Sequence, residues 1–92
     1  MIPVQQFLPA ALAGVLRRAP LTPEKVEFAW RAAVGPAVAN ASAVELRNHV
    51  LQVRVKSGEW RREILRSTSL IRSRIEPVLG PGVVLSIDVI VL

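Results

Sequence analysis

At 92 residues, with 51% hydrophobic side chains and only four Trp and Phe residues, the chain holds one modest aliphatic core and no room for a second. The lack of cysteine excludes disulfides and thiolate zinc sites, and a net charge of +5 points toward acidic partners. The apolar stretch Phe7 to Leu16 contains Pro9 and Gly14, is about half the length that spans a bilayer, and has its arginines after it rather than before. Neither a membrane helix nor a secretory signal is expected, and the expected compartment is the cytoplasm.

Phe7, Leu8, Ala11, Leu12, Val15 and Leu16 recur at helical spacing, with Arg17 and Arg18 where cations complement a helix C-terminus, so a first helix is predicted with Pro9 in its first turn. Ala19 to Leu21 is a linker. Thr22-Pro23-Glu24 supplies a hydroxyl cap, a proline at the first helical position and an acid in the first turn. The second helix is predicted over Pro23 to about Val34, with Val26, Ala29, Trp30 and Ala33 inward and Gly35-Pro36 as its stop. Residues 37 to 41 add one loose turn.

Val44 and Leu46, then Leu51, Val53 and Val55, alternate with polar residues around Asn48, which predicts a β-hairpin with one buried face and a polar, basic solvent face. Ser57 is the expected cap of a third helix, whose stripe of Trp60, Ile64, Ile71, Ile75 and Leu79 runs to the stop at Gly80-Pro81-Gly82. Val83 to Leu92 reads as a final strand. The fold class predicted is α+β, a two-layer sandwich of order α-α-β-β-α-β with a three-stranded sheet. The crossover through helix three allows the last strand to lie parallel to the second.

Charge is uneven. From Arg47 to Arg74 there are eight cations against Glu59 and Glu63, a local +6 that leaves −1 for the rest. Seven of the eight are arginine, which forks onto phosphates and carboxylates. The candidate binding residues are Arg47, Arg54, Lys56, Arg61, Arg62 and Arg66. Because the second strand feeds directly into helix three, Arg54, Lys56, Arg61, Arg62 and Arg66 are expected near one edge of the sheet. The competing reading is a solvated face partly neutralised by Glu59 and Glu63. If roughly five phosphates were neutralised, single-strand affinity would fall with log salt at a slope of about −3.5.

Catalytic chemistry is poorly provided for. One histidine, one aspartate, no cysteine and no tyrosine leave no nucleophile–base pair, and neither phosphate-binding glycine motif occurs, so an enzyme is not expected, nor any metal, cofactor or small-molecule substrate. His49 is expected as a solvated turn residue, and Asp88 as a strand residue facing solvent or an arginine. Trp30 and Trp60 fit base-stacking platforms or partner anchors, but their place on apolar stripes favours core packing, with acceptors needed for their indole N–H groups.

The pattern Trp30-x-x-x-Val34-Gly35-x-x-Val38-Ala39, followed by Leu46-x-x-x-Val50-Leu51-x-Val53-x-Val55-x-Ser57-x-x-Trp60-x-x-x-Ile64, resembles the DciA-type bacterial replicative-helicase operators from about Val15 through the last strand. The resemblance implies a fold like the K-homology (KH) domain. It also implies contact with the helicase hexamer, help in placing that ring on single-stranded DNA, and some single-stranded or non-specific DNA binding. Residues 1–92 are then expected as one such domain, with 1–21 as N-terminal helix and linker and 22–92 as the motif-bearing core. Relatives carry a further basic segment, and as this sequence stops at Leu92 inside a strand pattern, no separate tail is expected. A general nucleic-acid-binding module, or a domain self-associating through the last strand where Val84, Ile90 and Leu92 are exposed, are the alternatives. There is no GxxG loop, the element by which true KH modules clamp a nucleic-acid backbone, so KH-type sequence readout is not expected.

Overall fold

The computed structural model describes residues 10–92. They form α1 (Ala10–Arg18), α2 (Pro23–Val34), α3 (Pro36–Asn40), β1 (Ser42–Arg47), β2 (Val50–Val55), α4 (Gly58–Arg66), α5 (Thr68–Leu79) and β3 (Ser86–Val91). The expected positions of Phe7, Leu8 and Pro9 lie outside the described residues. Within α1, Leu12 and Val15 are exposed and Leu16 packs against the core.

Local chemistry sets both ends of α2. The Thr22 hydroxyl accepts from the Lys25 amide at 3.2 Å, and Pro23 follows at the first helical position. At the other end Gly35 adopts φ 85°, ψ 169°, a combination open essentially to glycine alone. Its N–H donates to the Arg31 carbonyl at 2.9 Å, and its own carbonyl accepts from Ala39 in α3, so one residue closes α2 and opens the next helix. The motif pair Val34-Gly35 is therefore a corner in the backbone.

The hairpin closes through Asn48 and His49, both with positive φ (51° and 65°), between the paired residues Arg47 and Val50. A two-residue loop of this hand matches the twist of the strands. The sheet order is β1-β2-β3, with β1 antiparallel and β3 parallel to β2, as the crossover allowed. Leu51, Val53 and Val55 point inward from the central strand beneath Trp30, Ile64, Ile75 and Val78, forming a two-layer α+β domain with helices on one face.

Helix three is not continuous. It breaks at Ser67 (φ −106°, ψ 14°), whose N–H turns to the Ile64 carbonyl, while the Thr68 hydroxyl donates back to Leu65 at 2.9 Å. The inward stripe passes through the break from Ile64 to Ile71, seven residues on, so both helices bury their faces in one core. Pro77 lies inside α5 and has no N–H to offer the Ser73 carbonyl. The last strand begins at Ser86, later than the apolar run indicated. Val84, expected as exposed, is buried at 9% in the loop that precedes it, because the chain must re-enter the core before joining the sheet. No helix among the described residues is long and apolar enough to cross a membrane.

Candidate functional site

Ser57 fixes the start of α4. Its extended backbone and hydroxyl, which accepts from the Trp60 amide at 3.3 Å, form the cap that turns β2 directly into the helix. This gives the Ser57-x-x-Trp60 spacing a physical reason: the cap bonds the third helical residue, and that residue's indole packs against the core. Trp60 and Ile64, four apart, face inward, with Ile64 fully buried and Trp60 half-buried. Arg62, midway between them, falls on the opposite face, and Arg66 lies one turn further along it.

Trp30 is scaffold. It is 2% exposed, and its indole nitrogen donates to the Ser42 hydroxyl at 2.9 Å, which donates in turn to the Val38 carbonyl at 2.6 Å. The relay ties α2, α3 and β1 together and supplies the acceptor a buried indole requires. His49 is exposed, as expected of the turn; its Nδ1 lies 3.2 Å from the Val83 carbonyl, a contact made by the tautomer with hydrogen on that nitrogen. Asp88 is exposed on the outer face of β3. Among the described residues, no three His, Asp or Glu side chains gather as a metal site would need.

The six candidate cations do not converge on one place. Arg47 is exposed on β1 and paired with Glu45 at 2.6 Å. Arg54 is half-buried on the outer sheet face opposite Ala43, where it lines a concavity with Trp30, Arg31 and Glu27 beside β1. Lys56 is exposed just past β2. Arg61 extends in another direction, its Nε donating to the Val89 carbonyl of β3 at 3.4 Å. Arg62 and Arg66 occupy the solvent face of α4, where Glu63 approaches Arg66 at 3.5 Å. The expected clustering on one sheet edge is thus partial: Arg61, Arg62 and Arg66 share α4, whereas Arg54 belongs to the β1 side. Strand alternation explains the split, because Val53 and Val55 point into the core and Arg54 between them turns to the outer face, away from the helix layer that carries α4.

Two features of this region escaped the sequence reading. Lys25 is buried on the inner side of α2, its ammonium donating to the carbonyls of Ala19 (2.8 Å) and Arg17 (3.2 Å) at the end of α1. The available signal was position, since Lys25 precedes Ala29 and Ala33 by four and eight residues on the apolar stripe. Arg74 donates to the Ala33 carbonyl at 3.0 Å, so this cation of the basic segment completes the end of α2.

The arrangement offers a guanidinium-rich helix face and a partly basic sheet end, suited to holding phosphates or carboxylates. A sequence model of the family described as "Dna[CI] antecedent, DciA" matches residues 3–89. No curated protein sequence matches the chain.

Proposed function

This chain belongs to the DciA family, which ties it to replicative-helicase loading, and from that premise we propose that it is a non-enzymatic adaptor. It binds the helicase hexamer and assists its placement on single-stranded DNA, working in the bacterial cytoplasm with the replication machinery. The observation that carries the reading is the outward face of α4. Ser57 anchors the helix to β2, Trp60 and Ile64 hold it to the core, and Arg62 and Arg66 are left facing solvent on a rigid element. Rigid placement lets cations meet an anionic partner without first being ordered.

A second reading, a general nucleic-acid-binding module without a helicase role, draws on the same solvent-facing arginines. Reversing Arg54, Arg62 and Arg66 to glutamate separates the two. Arg61 is left intact because it bonds the backbone of β3. An adaptor keeps its helicase complex while losing affinity for DNA. A plain nucleic-acid binder has no helicase complex to keep.

A further inference from the structure

Among the described residues, no strand pairs with the outer side of the β3 backbone. The amides of Ser86 and Leu92 donate to the carbonyls of His49 and Val55, so the even-numbered residues of β3 turn their backbone groups to β2. Ile87, Val89 and Val91 therefore turn theirs outward, at the end of the sheet. Among the described residues, one group reaches this edge: the Arg61 guanidinium, on the Val89 carbonyl, by a contact at the long limit of a hydrogen bond. Apolar surface continues beside it, with Ile90, Val91 and Leu92 at 38%, 43% and 75% exposure. A strand in this state is a template for another strand.

Charge decides what kind of strand fits. Arg61 lies at the edge itself, Arg62 is its neighbour on α4, and Lys56 follows Val55, whose backbone partner is Val91. Two copies paired edge to edge would bring these cations together. The acids in the region are Asp88, on the outer face of β3, and Glu59, in the first turn of α4. Asp88 disfavours a carboxylate beside the first half of β3 and leaves the Val89–Leu92 half for one.

We propose that the β3 edge is a strand-addition site for an extended, acidic segment of a partner protein. Its backbone bonds Ile87, Val89 and Val91, and its carboxylates lie toward the Arg61 end. Arg61 has two positions in this mechanism. In the free protein it blunts the edge by occupying the Val89 carbonyl. In the complex it releases that carbonyl to an incoming amide and pairs with a carboxylate of the added strand. The proposal rests on the reading of the chain as a protein-binding adaptor and adds the mode of contact and the chemistry of the segment.

The test uses the full chain and a short blocked peptide alternating glutamate with valine, beside the same peptide with lysine for glutamate. Binding is followed through the backbone amide resonances. The acidic peptide is expected to shift the amides of Ile87, Val89 and Val91 and the lysine peptide to leave them in place. Arg61→Glu should weaken binding by about tenfold or more, the worth of one charge-assisted hydrogen bond. Val91→Pro removes an outward amide that the native ladder does not use, and should weaken it similarly while the remaining spectrum stays folded. Unshifted edge amides at about millimolar peptide, equal binding of the two peptides, dimerisation through this edge, or displacement of the peptide from the same amides by oligothymidylate would each overturn the proposal. Because the peptide assay contains no helicase, such a failure leaves the adaptor reading to be judged on its own complex.

Discussion

The indole nitrogen of Trp30 lies 2.9 Å from the hydroxyl of Ser42, twelve residues away and on a different element. Ser42 accepts from one helix and donates to another, so its hydroxyl is a joint between α2, α3 and β1. Ser42→Ala leaves a buried indole N–H without its partner, a loss expected to destabilise the fold by about 1–3 kcal/mol. For a domain of this size that lowers Tm by roughly 4–8 °C per kcal/mol. Thermal unfolding checks it, and a double-mutant cycle with Trp30→Phe should show coupling. Additive costs would show that the relay carries no shared energy.

Lys25 joins α1 to the rest of the molecule. Its ammonium satisfies two carbonyls at the end of α1, which have no partners inside that helix. Lys25→Met keeps the stem and removes the donors. Hydrogen exchange should quicken in α1 ahead of the sheet, with a global loss of about 1–3 kcal/mol by urea titration. Unchanged exchange in residues 10–18 would remove Lys25 from this role.

Gly35 tests the corner between α2 and α3 by backbone strain alone. Nothing lies within 4 Å of the position a Cβ would occupy, yet φ is +85°. Gly35→Ala is expected to cost about 1–3 kcal/mol without any steric clash. Urea unfolding of the variant should show a lower midpoint and an unchanged slope, meaning that the surface exposed on unfolding is the same.

DNA affinity should carry the signature of a few phosphate contacts. Among the described residues, Arg54, Lys56 and Arg62 have no ion-pair partner, while Arg61 and Arg66 hold weak surface contacts that exchange easily. For a single strand the slope of log affinity against log salt is then expected between about −2 and −3.5. Arg62→Glu should make it shallower. A slope near zero would exclude the cationic face from DNA contact.

Much of the fold was legible because local chemistry and periodicity agreed. Thr22-Pro23 and Gly35 bound α2 as expected, the alternation of Leu51, Val53 and Val55 gave the central strand, and Ser57 marked the entry to α4. The break at Ser67 was hidden because Ile64 and Ile71 are seven residues apart and keep the stripe in phase across it. The late start of β3 was hidden because Val83, Val84 and Leu85 are as strand-like in composition as the strand itself. The candidate site was legible as a list of cations but not as a surface. Where a long arginine goes depends on neighbours distant in sequence, such as Val89 beside Arg61.

The most direct test is binding of the full chain to the host's replicative helicase at low and raised salt, with and without single-stranded DNA. The same titration is repeated with Arg54, Arg62 and Arg66 reversed to glutamate. The account predicts a helicase complex at micromolar protein in low salt, retained by the reversed variant while its DNA affinity falls. The absence of any complex at micromolar protein in low salt would contradict it.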